Sequence, residues 1–186
     1  MYNELLFREL QIDIARHIAI QSFPDPRCRC ASGVIVGVRA VFPLPEGLER
    51  IVYPFRGGFM GFGSMCGAFF SGVLLLSFYL SESVKEDILM DFAEWFQAPF
   101  ILGDGIFSMP VDTIGCEERL NSWGKNYGSP ISTYGKTMET SEMCQRLTGA
   151  VSGYVVKILQ DNFSKLSVCG VVEESWPVSH KTYVAL

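Results

Sequence analysis

The stretch RGGFMGFGSMCGAFFSGVLLLSFYL at residues 56–80 decides how this chain folds. After Arg56 it carries no charge, and it is about as long as the roughly 20 residues that span a bilayer. Gly57, Gly58, Gly61 and Gly63 interrupt its first part, and glycine in a helix interior costs about 1 kcal/mol. The spacing therefore predicts a helix from Met65 or Cys66 to about Leu80, too short to cross a membrane. A helix apolar on every side fits the buried centre of a helical bundle. The glycines allow positive φ or a close backbone approach, but they form no phosphate loop: no Gly-Lys-Ser/Thr follows and no GxGxxG opens the helix.

Working outward, the pattern stays helical. Leu6, Leu10, Ile14 and Ile18, with Phe7 and Ile12 beside them, predict a helix over 4–21 that packs one face on the core. Ser22-Phe23-Pro24 ends it. Asp25-Pro26 has the order of a cap followed by a first-turn proline, so Cys28 and Cys30 are expected in or near the first turn of a second helix through Val34, Val38 and Val41. Pro43 and Pro45 stop that helix. Further helices are expected over 48–53, over 84–97 with Ile88, Leu89, Phe92, Trp95 and Phe96 inward, over 116–125, and over 141–160. Residues 98–113 read as a loop, and weak strand signals fall at 167–172 and 182–185. The expectation is a mostly α, single-domain bundle over 1–186, with about six helices, a buried glycine-preceded central helix and an irregular C-terminal tail.

Composition narrows the function. With 48% hydrophobic and 13% aromatic residues the chain is globular rather than disordered. A net charge of −5 without a basic cluster argues against nucleic acid as a partner. Six cysteines in 186 residues do not demand a disulfide framework. Met1-Tyr2-Asn3-Glu4 opens no basic or apolar leader, so a cytoplasmic, reducing location is expected.

The chemistry lies in cysteine placement. Cys30, Cys66, Cys116 and Cys144 each stand where a helix is expected to begin, and a helix N-terminus carries unpaired N–H groups and about half a positive charge. Such a position stabilises a thiolate or the sulfur of an anionic cluster. Any one of them alone would read as a small apolar filler. Zinc fits less well, because no CxxC pair is present. A c-type haem is not expected: CxxCH is absent, and His17 and His180 are the sole histidines. Cys28 is a secondary redox candidate, since Cys28-Arg29-Cys30 would close a strained disulfide with Arg27 and Arg29 lowering its thiol pKa. Trp95 and Trp123 read as core, Glu117-Glu118 as complements to a helix dipole, His180 as a solvated loop residue, and Ser64 and Ser71 as serines without a histidine partner.

Cys30-Ala31, GFGSMCGAFFSG at 61–72, CEERLNSW at 116–123 and EMCQRLTGAVSGYVVKILQ at 142–160 together resemble the C-GCAxxG-C-C family of redox-active proteins, which takes in the cluster-bearing region of split-Soret cytochromes c. The resemblance covers residues 26–162, leaving 163–186 as a C-terminal extension. It implies a mostly helical domain in which Cys30, Cys66, Cys116 and Cys144 hold an iron–sulfur cluster or do thiol chemistry, in a homodimer. This chain departs from the haem-bearing relatives in lacking CxxCH, and it has one residue more than the family motif between Ala68 and Gly72.

The function expected from both routes is electron transfer with a redox partner protein, through an iron–sulfur cluster on the four cysteines, rather than conversion of a substrate. The alternatives are a cluster-free thiol–disulfide or metal-responsive protein using Cys28 and Cys30, and an apolar interaction or membrane-associated module built on residues 59–80.

Overall fold

In the computed structural model, residues 2–98, 100–103, 106–108, 113–127 and 138–166 are described. Seven α-helices lie among them: α1 (Tyr2–Ser22), α2 (Cys30–Arg39), α3 (Leu48–Val52), α4 (Gly67–Tyr79), α5 (Glu82–Gln97), α6 (Cys116–Tyr127) and α7 (Met138–Asp161). Single 3-10 turns at Tyr53–Phe55 and Phe163–Lys165 follow α3 and α7. The architecture is the expected mostly α bundle. Helix α7 is its hub, packing against α1, α2, α4 and α6, while α4 lies against α2, α5 and α7.

Helices α1, α2 and α7 approach through small residues. A Cβ on Gly37 of α2 would come within 2.6 Å of the Ala15 carbonyl and 2.7 Å of the Ala19 Cβ, so only glycine fits there. That closeness decides which face of α1 turns inward. Ile12, Ala15 and Ala19 are buried, whereas Leu6 and Leu10 remain 53% and 55% exposed. Helix α1 does pack one face on the core, but not the face marked by the four-residue leucine and isoleucine ladder. Small side chains win the contact because they let two backbones meet at a distance that Leu cannot.

Helix α4 behaves as its composition predicts. Ala68, Phe69, Leu75, Leu76 and Tyr79 are buried, and each large apolar side chain removed from water contributes roughly 1.5–3 kcal/mol. Phe69 stacks on Phe92 of α5 with ring centroids 5.4 Å apart, and the Tyr79 hydroxyl donates to the Pro43 carbonyl. At 13 residues α4 is about 20 Å long, and among the described residues no helix is long and apolar enough to cross a membrane.

Three local expectations change. Asp25 does not start a helix: its carboxylate accepts from the Arg27 amide at 2.8 Å and its carbonyl from the Cys28 amide at 2.8 Å, closing a turn, so α2 begins at Cys30 and Cys28 precedes it. Within 98–113 a hairpin forms from β1 (Phe100–Gly103) and β2 (Ile106–Ser108), antiparallel with Phe100 opposite Ser108. Helix α7 starts at Met138, ahead of the expected 141, because Met and Glu propagate a helix well and Thr-Ser inside one costs little. The strand signals at 167–172 and 182–185, with Cys169 and His180, lie outside the described residues.

Candidate functional site

The glycine-rich segment is a folded loop that aligns two helix starts. Gly57, Gly58, Gly61 and Gly63 all have positive φ, as do Phe59 (61°) and Met60 (55°), which L side chains adopt only under constraint. The Gly63 amide donates to the Gly57 carbonyl at 3.2 Å and the Ser64 amide to the Gly58 carbonyl at 3.1 Å, with the Ser64 hydroxyl on the same carbonyl at 2.8 Å. Beyond the loop, Met65 and Gly115 form an antiparallel bridge. Around it the Cys66 amide donates to the Ile114 carbonyl at 2.8 Å, the Cys116 amide to the Ser64 carbonyl at 2.6 Å, and the Glu117 amide to the Gly63 carbonyl at 2.9 Å.

This ladder ties the start of α4 to the start of α6, with Cys66 opposite Ile114 and Cys116 opposite Ser64. Cys66 is the N-cap of α4 and Cys116 the first residue of α6; they are 5% and 8% exposed. The loop leaves no slack behind them, since a Cβ on Gly58 would stand 2.8 Å from the Cys116 Cβ. Cys30 opens α2 and is half-buried. Its Sγ would lie 3.0 Å from a Cβ on Gly67, the residue after Cys66, so Gly67 is what admits the Cys30 sulfur to the α4 start.

Cys144 differs from the other three. It lies inside α7, six residues past its first residue, and its carbonyl accepts the Thr148 hydroxyl at 2.7 Å. Three of the four cysteines therefore sit at helix starts and the fourth on a helix flank. The second candidate, Cys28, lies in the turn before α2, and burial pushes its thiol pKa up, with Asp25 adding to the rise and Arg27 opposing it less strongly. Arg27 is engaged by Asp25, whose carboxyl that hydrogen bond holds down at about 2, and Arg29 stacks over the Phe23 ring at 5.4 Å. The arginines thus do not activate Cys28 as the sequence suggested. None of the five described cysteines is disulfide-bonded.

Arg119 is the residue that sequence reasoning missed. It is 1% exposed, its Nη2 donates to the Phe96 carbonyl at 2.7 Å, and its guanidinium carbon stands 4.1 Å over the Phe96 ring. Burial lowers its pKa, while the thiols of Cys66, Cys144 and Cys116 act on its charge to raise it. The signal was present: Cys116, Arg119, Leu120 and Trp123 share one face of α6, and a single arginine in a buried stripe calls for a negative partner.

Cys66 balances opposed influences. Desolvation pushes its thiol up to about 11 and the neighbouring Cys30 adds to this, while the Phe69 and Ala68 amides at the α4 start and the Arg119 guanidinium favour the thiolate. Three thiols, those of Cys66, Cys144 and Cys116, thus act on the charge of one buried cation. Among the described residues no three His, Cys, Asp or Glu side chains are gathered tightly enough to hold a single metal ion. The donor set is all sulfur, which suits soft metals and iron–sulfur clusters.

The other polar and aromatic candidates are structural. Ser64 closes the glycine loop, Ser71 is buried in α4, and His17 is exposed on α1. Trp123 is buried, and Trp95 stacks on Tyr154 at 3.9 Å between ring centroids. Glu117 and Glu118 are exposed in the first turn of α6, as the dipole reading expects.

Residues 28–158 match the family described as "Putative redox-active protein (C_GCAxxG_C_C)". No curated protein matches the chain. Among solved structures the chain is similar in fold, at a TM-score of 0.68 and 15% identity, to the split-Soret cytochrome c from Desulfovibrio desulfuricans ATCC 27774, a protein with a novel iron centre. The similarity covers 82% of this chain and 69% of that one.

Proposed function

Because the chain belongs to the C_GCAxxG_C_C redox-active family, we propose that it is an electron-transfer protein that holds an iron–sulfur cluster through Cys30, Cys66, Cys116 and Cys144. One observation supports the reading: the Met65–Gly115 bridge joins the starts of α4 and α6, where Cys66 and Cys116 are buried, and Gly67 admits the Cys30 sulfur to the same α4 start. When bound, the cluster supplies one-electron chemistry. The chain's own part is to bind it, exclude water and offset its charge. Cys66 and Cys116 are buried, and the Ala68 and Phe69 amides at the α4 start favour negative charge on the Cys66 sulfur.

We further propose a cytoplasmic homodimer that exchanges electrons with a partner protein. The exposed Leu6, Leu10 and Ile14 on α1 support a second copy. Anaerobic purification tests the main reading: brown protein with iron and acid-labile sulfide is expected, and colourless, iron-free protein would refute it.

A second reading has its own observation. Gly67 admits the Cys30 sulfur to the start of α4 beside Cys66, and in this reading the two thiols give up two electrons and two protons to a partner disulfide and form a bond between them. Thiol titration after mild oxidation would then fall by two groups in wild type and not in Cys30→Ser.

A further inference from the structure

The glycine loop ahead of α4 holds large apolar side chains in the open. Phe59, Met60, Phe62 and Met65 are all exposed, Phe62 by 77%. Phe59 rests its ring edge on Phe55 at 5.5 Å between centroids, and Phe59 and Met60 both keep a positive φ that glycine would adopt without strain. Large side chains held there strain the backbone and gain little burial, which points to a use outside this chain. The loop also lies on the sulfur site. A Cβ on Gly58, the residue before Phe59, would stand 2.8 Å from the Cys116 Cβ, and the Ser64 carbonyl takes the Cys116 amide at 2.6 Å. Phe59 and Met60 thus stand on the outer side of a backbone whose inner side touches Cys116. The rim is acidic. A Cβ on Gly63 would meet the Glu117 Cβ at 2.8 Å and its Oε2 at 2.9 Å, so that carboxylate lies against the loop, and Glu118 is exposed next to it. Arg56, at the other end of the loop, keeps its guanidinium over the Tyr53 ring at 4.3 Å.

We propose that this loop is the docking surface for the redox partner, a protein that offers an apolar patch ringed by lysine and arginine. That the occupant carries electrons rests on the function proposed above; that the loop binds a basic, apolar-centred protein surface does not. Redox encounters bury less than about 1,200 Å² in total, a size that a few side chains can supply. Aromatic residues and methionine are enriched at the centre of such contacts, and methionine adapts its shape to more than one partner. The carboxylates select among occupants. They attract a cationic rim and steer its approach, in a chain whose net charge is −5. A second copy joined through this loop would bring two acidic rims together, and an anionic lipid surface repels them.

The probe is a c-type cytochrome whose haem edge is ringed by lysines, with the same cytochrome after succinylation of those lysines as its control. The chain as purified should bind the first at low salt and not the second. Glu117→Gln with Glu118→Gln should weaken that binding about tenfold at low salt and hardly at high salt, where surface charge is screened. Phe62→Ser should weaken it about tenfold at both. Met60→Gly should do the same without lowering the melting temperature, because glycine suits a φ of 55°, and it decides should Phe62→Ser fail to fold. In anaerobically reduced, iron-loaded protein, one electron passes from the centre to the ferric haem, and stopped-flow haem absorbance should show the second-order rate falling in the same variants. Failure of the unmodified cytochrome to bind, or equal binding of the succinylated form, overturns the proposal. Wild-type binding in Phe62→Ser and Met60→Gly overturns it, as does an equal loss from Glu86→Gln with Asp87→Asn, two exposed carboxylates on α5. Dimers in sedimentation, or binding to phosphatidylserine vesicles, that Phe62→Ser abolishes would assign the loop to a second copy or a membrane and overturn it too. Iron-free wild type refutes the cluster reading, and binding then decides the surface. Loop-dependent binding of iron-loaded protein with no haem reduction upholds the surface and removes the electron carrier as its occupant.

Discussion

The Cys116 amide donates to the Ser64 carbonyl at 2.6 Å, and that bond ties the start of α6 to the glycine loop ahead of α4. The tie makes the loop part of the sulfur site. Gly58 faces it with φ of 69° and with its missing Cβ 2.8 Å from the Cys116 Cβ. Gly58→Ala is expected to destabilise the protein by about 1–3 kcal/mol through forced positive φ, with more from the clash. Denaturant melts measure the first effect. Iron content measures displacement of Cys116, and a variant with wild-type stability and iron would show that the loop merely spans a gap.

Single Cys-to-Ser variants at 30, 66, 116 and 144 should each lose most bound iron, while Cys28→Ser should keep it. Cys28 lies in the turn before α2 and is not among the thiols that act on Arg119. Iron and sulfide analysis after anaerobic purification reads all five. Equal loss in Cys28→Ser would bring that residue into the site.

Alkaline pH should weaken the metal-free protein. Burial raises the Cys66 thiol to about 11 from an ordinary 9.0. A raised folded-state pKa means that the folded chain binds the proton more tightly than the unfolded one. The stability this confers is complete below about pH 9 and is lost as pH climbs toward 11. The loss is about 2–3 kcal/mol at most. Melts across that window should flatten in Cys66→Ala. Tyr79, whose hydroxyl burial also pushes up, adds a step at still higher pH that Tyr79→Phe should remove.

Leu10→Glu should leave folding unchanged within about 0.5 kcal/mol, because Leu10 is 55% exposed on α1. If a second copy covers that ladder, sedimentation will show a dimer in wild type and a monomer in the variant. Wild type running as a monomer would remove the dimer from the proposal.

Ser71→Ala should be neutral or stabilise by up to about 1 kcal/mol. The Ser71 hydroxyl is buried in α4 and finds no hydrogen-bond partner among the described residues, so removing it relieves a desolvation cost at almost no loss of volume. A clear loss of stability would mean that the hydroxyl is satisfied in solution.

The sequence by itself determined the helices whose information is local. Pro43 and Pro45 end α2, Gly63 keeps α4 from starting early, and the apolar run to Leu80 makes α4 a core helix; each acts within a few residues of itself. It also marked the four cysteines and placed three of them at helix starts. Tertiary structure decided the rest. The buried face of α1 follows from how closely Gly37 lets two backbones approach, so Ala15 and Ala19 go inward and the more hydrophobic Leu6 and Leu10 do not. Cys144 falls inside α7 rather than at its start, because helix propagation from Met138 outweighs a weak Thr-Ser cap signal. Above all, the joining of the Cys66 and Cys116 helix starts depends on a bridge between Met65 and Gly115, residues 50 apart in the chain, and no local pattern encodes such a contact.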